Sequence, residues 1–148
     1  MLNKKYWPFL FTIVLLFLTL APLPSYSWST EKGQIKITIT GFKSDKGKVR
    51  YGLFNSKKTF LKKNHAFRKG ALPINNNKSE FIIDNVPYGE YTFAVGHDLN
   101  DNGKIERFFQ REPSGVSNYN KKLYWWPNYE KAKFVLDIKS KSIEIKVF

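Results

Sequence analysis

The chain has 148 residues, no cysteine and a formal net charge of +13 at pH 7. This length fits one domain, which packing has to stabilise because disulfide bonds are excluded. The positive charge comes from 21 Lys and only four Arg. Proteins that read nucleic acids usually depend on the planar fork of Arg, so the composition argues against nucleic acid. It favours an anionic surface of the cell envelope, or a glycan, as the partner.

The first 27 residues are predicted to be a signal peptide that is removed. Two lysines precede an apolar run at residues 9–20, and Ser25 and Ser27 stand at positions −3 and −1 of a cleavage site before Trp28. This apolar run is about a dozen residues long, shorter than the ~20 that a membrane-spanning helix requires. We therefore predict export to the periplasm or the extracellular space, with no transmembrane segment in the mature chain, residues 28–148.

The mature chain alternates apolar and polar residues with a period of two, which is typical of half-buried strands. Residues 35–39 and 49–53 alternate on either side of a turn at 44–47, and we interpret this pair as a hairpin. Further strands are predicted at residues 71–74, 81–83, 91–95, 132–136 and 143–147. A short helix is predicted at 59–68, whereas residues 96–128 form one long irregular insert.

This pattern of about seven short strands, without long helical segments between them, predicts an all-β fold. We expect a single seven-stranded antiparallel sandwich of prealbumin-like or immunoglobulin-like topology, with one long loop insert. Residues 28–148 are expected to form this single domain.

The sharpest local pattern is the segment D-L-N-D-N-G-K-I-E at residues 98–106. It follows the first nine positions of an EF-hand-type calcium loop, with candidate ligands Asp98, Asn100, Asn102, Lys104 (through its carbonyl group) and Glu106. The twelfth position holds Phe109 in place of a bidentate Glu, which predicts weak affinity, and Glu112 replaces that ligand if the loop folds back. The alternative is an Asx-rich turn that caps its own backbone. Ile105 is expected to pack into the core.

Two adjacent aromatic residues, Trp125 and Trp126, are the candidate ligand-binding residues. Their faces can stack on sugar rings, with Asn118 or Asn128 supplying hydrogen bonds. The alternative is that these aromatic side chains hold a long loop over an open end of the sandwich. Because neighbouring side chains of an extended chain point to opposite sides, one of the two Trp is expected to be exposed.

A cationic stretch lies between residues 57 and 69, with Phe60 and Phe67 among its cations. We call it the basic band, and its members are Lys57, Lys58, Lys62, Lys63, Arg68 and Lys69. One interpretation is contact with an anionic membrane surface. The other is a solvated loop that keeps the protein soluble.

The sequence carries no catalytic signature. It has no G-x-S-x-G, no cysteine nucleophile, no H-E-x-x-H and no P-loop. Two histidines do not make a zinc cluster. His65 is expected to be exposed, and His97 is expected to bond a backbone carbonyl. We therefore predict a protein that is not an enzyme, with calcium as its only candidate cofactor.

Several motifs follow one another in the order of a known family. They are P-Y-G-E-Y at 87–91, H-D-L-N-D-N-G-K at 97–104, S-N at 117–118 and P-N-Y-E-K-A-K-F at 127–134. Together they resemble the small exported bacterial proteins grouped as domain of unknown function 2141, over nearly all of residues 33–148. The resemblance implies a prealbumin-like β-sandwich in the envelope or outside the cell, and no activity. Ser114 departs from an acidic residue common in that family, which removes one candidate metal ligand, and Val116 departs from Phe.

Overall fold

The computed structural model describes residues 31–62, 64–106, 112–121 and 126–148. Eight strands and one four-residue helix occur in these segments, so the predicted all-β class is confirmed. They are β1 (Lys32–Thr40), β2 (Lys48–Phe54), β3 (Arg68–Leu72), β4 (Ser79–Pro87), β5 (Gly89–Asp98), β6 (Ser114–Val116), α1 (Tyr129–Ala132), β7 (Phe134–Leu136) and β8 (Ser140–Lys146). The predicted signal peptide lies outside the described residues. Within them, no helix has the length and apolar character needed to cross a lipid bilayer.

The strands form two sheets. β1 lies at the centre of a three-stranded sheet, with β4 antiparallel on one side and β8 parallel on the other. The second sheet has the order β3, β2, β5, and both β6 and β7 pair with the remaining edge of β5. The predicted seven-stranded antiparallel arrangement is therefore wrong in two respects, the eighth strand and the parallel pair. β6 lies inside the predicted insert, and its three residues are too few to show a periodic pattern.

The core lies between the two sheets. β1 buries every second residue, namely Ile35, Ile37 and Ile39. The ring of Tyr51 stacks on Phe93 with centroids 5.5 Å apart, and it also contacts Phe81 of the first sheet at 4.7 Å. A fully buried side chain of this size contributes about 1.5–3 kcal/mol relative to an exposed one. The alternation read from the sequence therefore identifies the inner faces of both sheets correctly.

The predicted hairpin at residues 44–47 is wrong, because β1 and β2 belong to different sheets. The chain leaves β1 through Gly41 at φ 92°, buries Phe42 and turns again at Gly47 at φ 77°. Positive φ values of this kind suit Gly, which has no Cβ to clash with the backbone. A short loop with Asp and Gly fits a hairpin and a crossing between sheets equally well, so the pattern alone does not separate them.

The segment before β3 also differs from its prediction. Residues 57–61 form turns, Leu61 has a left-handed φ of 59°, and the described part of 59–68 contains no helix. The amide of Phe67 then donates to the Leu53 carbonyl at 2.8 Å, so sheet pairing starts there. β3 consequently begins at Arg68, earlier than the strand predicted at 71–74. Pairing with β2 outweighs the local pattern of this segment.

Candidate functional site

The outer face of the second sheet carries unusually small side chains. Gly52 pairs with Ala94, and Gly96 lies two residues further along β5. Together with Ala71 of β3, these residues form the floor of a groove of about 730 Å³. Gly is depleted in strand interiors, where it often marks a place that a ligand or another chain segment approaches closely. We call this surface the groove, and it is the candidate functional site.

The walls of the groove are apolar and come from Phe54, Leu61, Ile105 and Trp126. Ile105 lies directly on Gly96, since a Cβ at position 96 would be 2.6 Å from its side chain. It therefore packs on the outer face of β5, and its predicted place in the core is wrong. The Trp126 side chain is 68% exposed beside the groove, whereas Trp125 lies outside the described residues.

Three cations line the groove, Arg50, Lys69 and Lys104, and no acidic residue does so among the described residues. All twelve Asp and Glu residues of the chain belong to the described segments. Arg50 forms ion pairs with Asp98 and, at 3.5 Å, with Asp101. Lys69 and Lys104 are exposed and have no acidic partner in the described part of the chain. The groove therefore combines an apolar floor with uncompensated positive charge.

Asp98, the first predicted calcium ligand, is fully buried at the end of β5. Its Oδ1 accepts the amide of Asn102 at 3.1 Å, and its Oδ2 accepts the amide of Gly103 at 3.0 Å and the Nε–H of Arg50. Burial raises the pKa of Asp98, but the hydrogen bonds from Arg50 and the two amides outweigh it. The net pKa is therefore lowered from the ordinary 3.8. Arg50 thus joins the groove to the loop.

The other predicted ligands lie in the same loop and are bonded to one another. Asn100 accepts the amide of Asn102 at 3.1 Å, and Asn102 accepts the amide of Lys104 at 2.9 Å. The side-chain amide of Asn102 donates to Glu106 at 2.6 Å. This is the arrangement of the Asx-rich turn given above as the alternative. No group of three or more His, Cys, Asp or Glu side chains in the described segments is arranged to hold a metal ion. Calcium binding stays a prediction.

Glu112 closes the loop from its other end, so the chain does fold back there, and the role of Glu112 as a replacement metal ligand stays a prediction. Its two oxygens accept the amides of Leu99 at 2.8 Å and Glu106 at 3.0 Å. Burial raises the pKa of Glu112, and the carboxyl group of Glu106 beside it raises it further. Oε2 of Glu106 is buried and has no hydrogen-bond partner among the described residues. This oxygen is a buried acceptor of the loop that receives no hydrogen bond from the described residues.

The two amide side chains predicted to bind sugar both make hydrogen bonds within the protein. Asn118 donates to the carbonyl of Lys133 at 2.7 Å, and Asn128 caps the N-terminus of α1. Ser117 is fully buried and donates to the carbonyl of Ala132 at 2.6 Å while it accepts an amide of β5. The S-N motif therefore attaches α1 to the second sheet, and hydrogen bonding of a sugar by Asn118 or Asn128 stays a prediction.

Both predictions for the histidines are confirmed. His97 is 1% exposed, and its Nε2 donates to the carbonyl of Lys46 at 2.7 Å. The edge of its ring contacts Phe42 with centroids 5.1 Å apart. His65 is exposed. Neither residue lines the groove.

The basic band is a cationic surface without exposed aromatic rings. Its described members are all exposed, and Lys63 lies outside the described residues. Phe60 contacts the rings of Phe54 and Tyr129, and Phe67 packs against the core. Lys69 is the member that also lines the groove. Membrane contact through this band stays a prediction.

The groove was not predicted from the sequence, although the positions of two glycines indicate it. Gly52 and Gly96 each interrupt a strand whose neighbours are otherwise large, Tyr51 with Leu53 and Val95 with His97. A Gly inside such an alternating strand indicates a close approach of other atoms. Two of them on adjacent strands would have pointed to one outer face.

The fold and the groove define a small all-β domain with a concave, cationic surface on one of its two sheets. A family model for uncharacterized proteins conserved in bacteria (DUF2141) matches residues 37–144. The chain belongs to this family, and the assignment made from the order of its motifs is confirmed. No curated protein and no solved structure shows a significant match to the chain.

Proposed function

We propose that the protein is an exported, non-enzymatic binding module of the cell envelope that holds a small organic ligand in the groove. The observation that carries this proposal is the groove itself, which lies between the side chains of Phe54 and Ile105 over small residues of adjacent strands. Its volume of about 730 Å³ is within the range of small-molecule sites, ~300–1,000 Å³. Apolar walls with a few polar groups are the usual composition of such sites.

The export part of the proposal rests on the leader at residues 1–27. The test is to express the full chain in a bacterium and to measure the mass of the protein recovered from the periplasm and the medium. A mature N-terminus at Trp28 is expected. A full-length protein that stays with the cytoplasm or the membrane would contradict export.

Binding in the groove can be tested with phenylnaphthylamine, a neutral aromatic probe that fluoresces on entering an apolar site. The Ala94→Leu variant fills the floor from a central strand, and Thr38→Leu places the same side chain on the outer face of the other central strand. We expect Ala94→Leu to weaken probe binding by about tenfold and Thr38→Leu to leave it unchanged. Circular dichroism establishes that both variants fold.

Two results of this experiment would count against the proposed site. An equal effect of both substitutions would mean that the probe binds elsewhere. If the wild-type protein does not bind the probe at all, the groove is not an apolar ligand site.

A second candidate function, carbohydrate binding, is favoured by the 68% exposed Trp126 beside the groove. An indole face at such a position can stack on a sugar ring. The test is a glycan array probed with the wild type and with Trp126→Ala, with Trp126→Phe as the conservative control. Selective glycan binding that Trp126→Ala abolishes and Trp126→Phe retains would support it. The absence of wild-type binding would reject it.

The proposal also includes weak calcium binding by the loop at residues 98–106. The converging oxygen atoms of Asp98 and the open acceptor on Glu106 support it, while the ion pair with Arg50 opposes it.

A further inference from the structure

The described residues that line the groove carry positive charge and no negative charge, which indicates the charge of its ligand. Three cations line it, and one of them, Arg50, is already paired with Asp98 and Asp101. Lys69 and Lys104 remain without an acidic partner, and the chain has no further Asp or Glu outside the described segments to provide one. The two ammonium groups are therefore available to an external anion.

One of these two lysines lies on a strand of this sheet, and the other lies in the loop that packs over it. Lys69, on the edge strand β3, pairs with Gly52 of β2, which pairs with Ala94 of β5. Lys104 precedes Ile105, which packs on Gly96 of β5. One lysine therefore reaches the groove from the β3 side of the floor, and the other reaches it from the β5 side.

From this placement we infer that the ligand is an amphipathic organic anion, which deepens the proposed function and depends on it. The apolar body of the ligand packs on the Gly and Ala floor beside Trp126. Its carboxylate, sulfonate or phosphate group pairs with the exposed ammonium groups of Lys69 and Lys104, which make the potential at the groove positive. The occupant is a single small molecule, because the groove that both lysines line has a volume of about 730 Å³.

A matched pair of probes separates this inference from groove binding in general. Anilinonaphthalene sulfonate has the ring system of phenylnaphthylamine and adds one sulfonate, so the difference in affinity between the two probes reports the anion. The test variant is Lys69→Gln/Lys104→Gln. The control, Lys32→Gln/Lys36→Gln, removes the same charge from two exposed positions of β1.

We expect the wild type to bind the sulfonate more tightly than the neutral probe. The groove variant should lose about tenfold in affinity for the sulfonate and less than about twofold for the neutral probe, because each exposed ion pair contributes modestly. The β1 control should retain both affinities. Added salt should weaken sulfonate binding only, because it screens exposed charges.

The outcomes separate the two proposals. Failure of both probes to bind the wild type overturns the proposed function and this inference with it. Preference for the neutral probe, or equal loss of both probes in the groove variant, overturns the inference alone. Sulfonate binding that Ala94→Leu does not affect, together with adhesion to phosphatidylglycerol vesicles that Lys69→Gln/Lys104→Gln abolishes, would assign the lysines to a membrane surface and also overturn it.

Discussion

The two sheets of this domain have similar inner faces and different outer faces. On the three-stranded sheet, the outward positions of β1 and β4 carry Lys36, Thr38 and Glu80, which are long or polar and in contact with solvent. On the other sheet, the corresponding positions of β2 and β5 carry Gly52 and Gly96 among other small side chains, and a loop packs over them. The second outer face is therefore partly covered by the protein itself, whereas the first, which also carries the 51% exposed Ile82, is in contact with solvent.

Polar groups are distributed in the same uneven way. Within the described segments, five of the six buried polar side chains belong to the second sheet or to the loops attached to it. They are Thr92, His97, Asp98, Glu112 and Ser117. Burial of a polar group is unfavourable unless hydrogen bonds compensate it, so these residues should be sensitive to substitution. Substitutions on the first outer face should have little effect on the free energy of unfolding.

The largest effect is expected for Asp98→Ala. It removes the acceptor of two backbone amides and leaves Arg50 without its buried partner. We expect a loss of about 3 kcal/mol in the free energy of unfolding, measured by urea denaturation. The control is Asp84→Ala, an exposed carboxyl on β4, which should change stability by less than about 0.5 kcal/mol. Equal losses would remove the contrast between the two faces.

The pH dependence of stability tests the same residue through its charge. Because the pKa of Asp98 is lowered in the folded protein, its contribution is present above the ordinary value of 3.8 and is lost as the pH falls through the folded pKa. The stability difference between wild type and Asp98→Asn should therefore be constant near neutral pH and shrink below that value. The raised pKa of Glu112 makes a contribution of opposite sign to the pH dependence of stability. This contribution is the same in both proteins and cancels in their difference. A difference independent of pH would contradict a charged Asp98.

A smaller loss is expected for Gly96→Ala, because a Cβ would lie 2.6 Å from the side chain of Ile105. Displacing that side chain should cost about 1–2 kcal/mol in thermal or urea unfolding. The same substitution in an Ile105→Ala background should cost much less, since the space is then available. Such a double-mutant cycle isolates the contact. An unchanged cost in that background would attribute the effect to the backbone of β5 instead.

One substitution on the second face should stabilise the protein. Thr92 is fully buried, and its hydroxyl has no hydrogen-bond partner among the described residues. Thr92→Val keeps the shape and removes the unsatisfied group, so we expect a gain of about 1 kcal/mol. Thr38→Val, on the exposed outer face of β1, removes a hydroxyl that bonds Glu80 and should give no gain. A loss for Thr92→Val in urea unfolding would reveal a partner for the hydroxyl.

The contrast between the faces also explains what the sequence predicts well. A period of two identifies Ile35, Ile37 and Ile39 as core residues, because the hydrophobic effect acts on every second position of a strand. It does not assign a strand to a sheet. The segments 35–39 and 49–53 therefore predicted a hairpin, although the loop between them crosses from one sheet to the other.

The candidate site was predicted only in part. The loop at residues 98–106 has a local pattern of Asp, Asn and Gly, so its turn and its internal bonds follow from the sequence. The pairing of Arg50 with Asp98 joins residues 48 positions apart, and no local pattern reports it. The groove likewise combines residues of three strands and three loops that lie far apart in the sequence. Long-range register decides such sites, and it becomes visible only in the folded chain.

Calcium is expected to have the smallest effect on the second face. Only two formal charges lie among the five predicted ligands, and Arg50 already donates to Asp98, so a dissociation constant in the range ~0.1–1 mM is expected. At three times that concentration, binding would add about 0.8 kcal/mol to stability, measured as a rise in the unfolding midpoint with chelator as the reference. Asp98→Asn should abolish the rise.

Arg50→Gln sharpens the calcium experiment, because it removes the competing cation and keeps a hydrogen-bond donor beside Asp98. The rise in midpoint should then occur at a lower calcium concentration than in the wild type, since the ion no longer displaces a guanidinium group. If neither protein responds to calcium, the loop is a self-capped turn that Arg50 stabilises in place of a metal. The second outer face would then differ from the first through its groove and its internal hydrogen bonds, and a protein cation would neutralise the buried charge of Asp98.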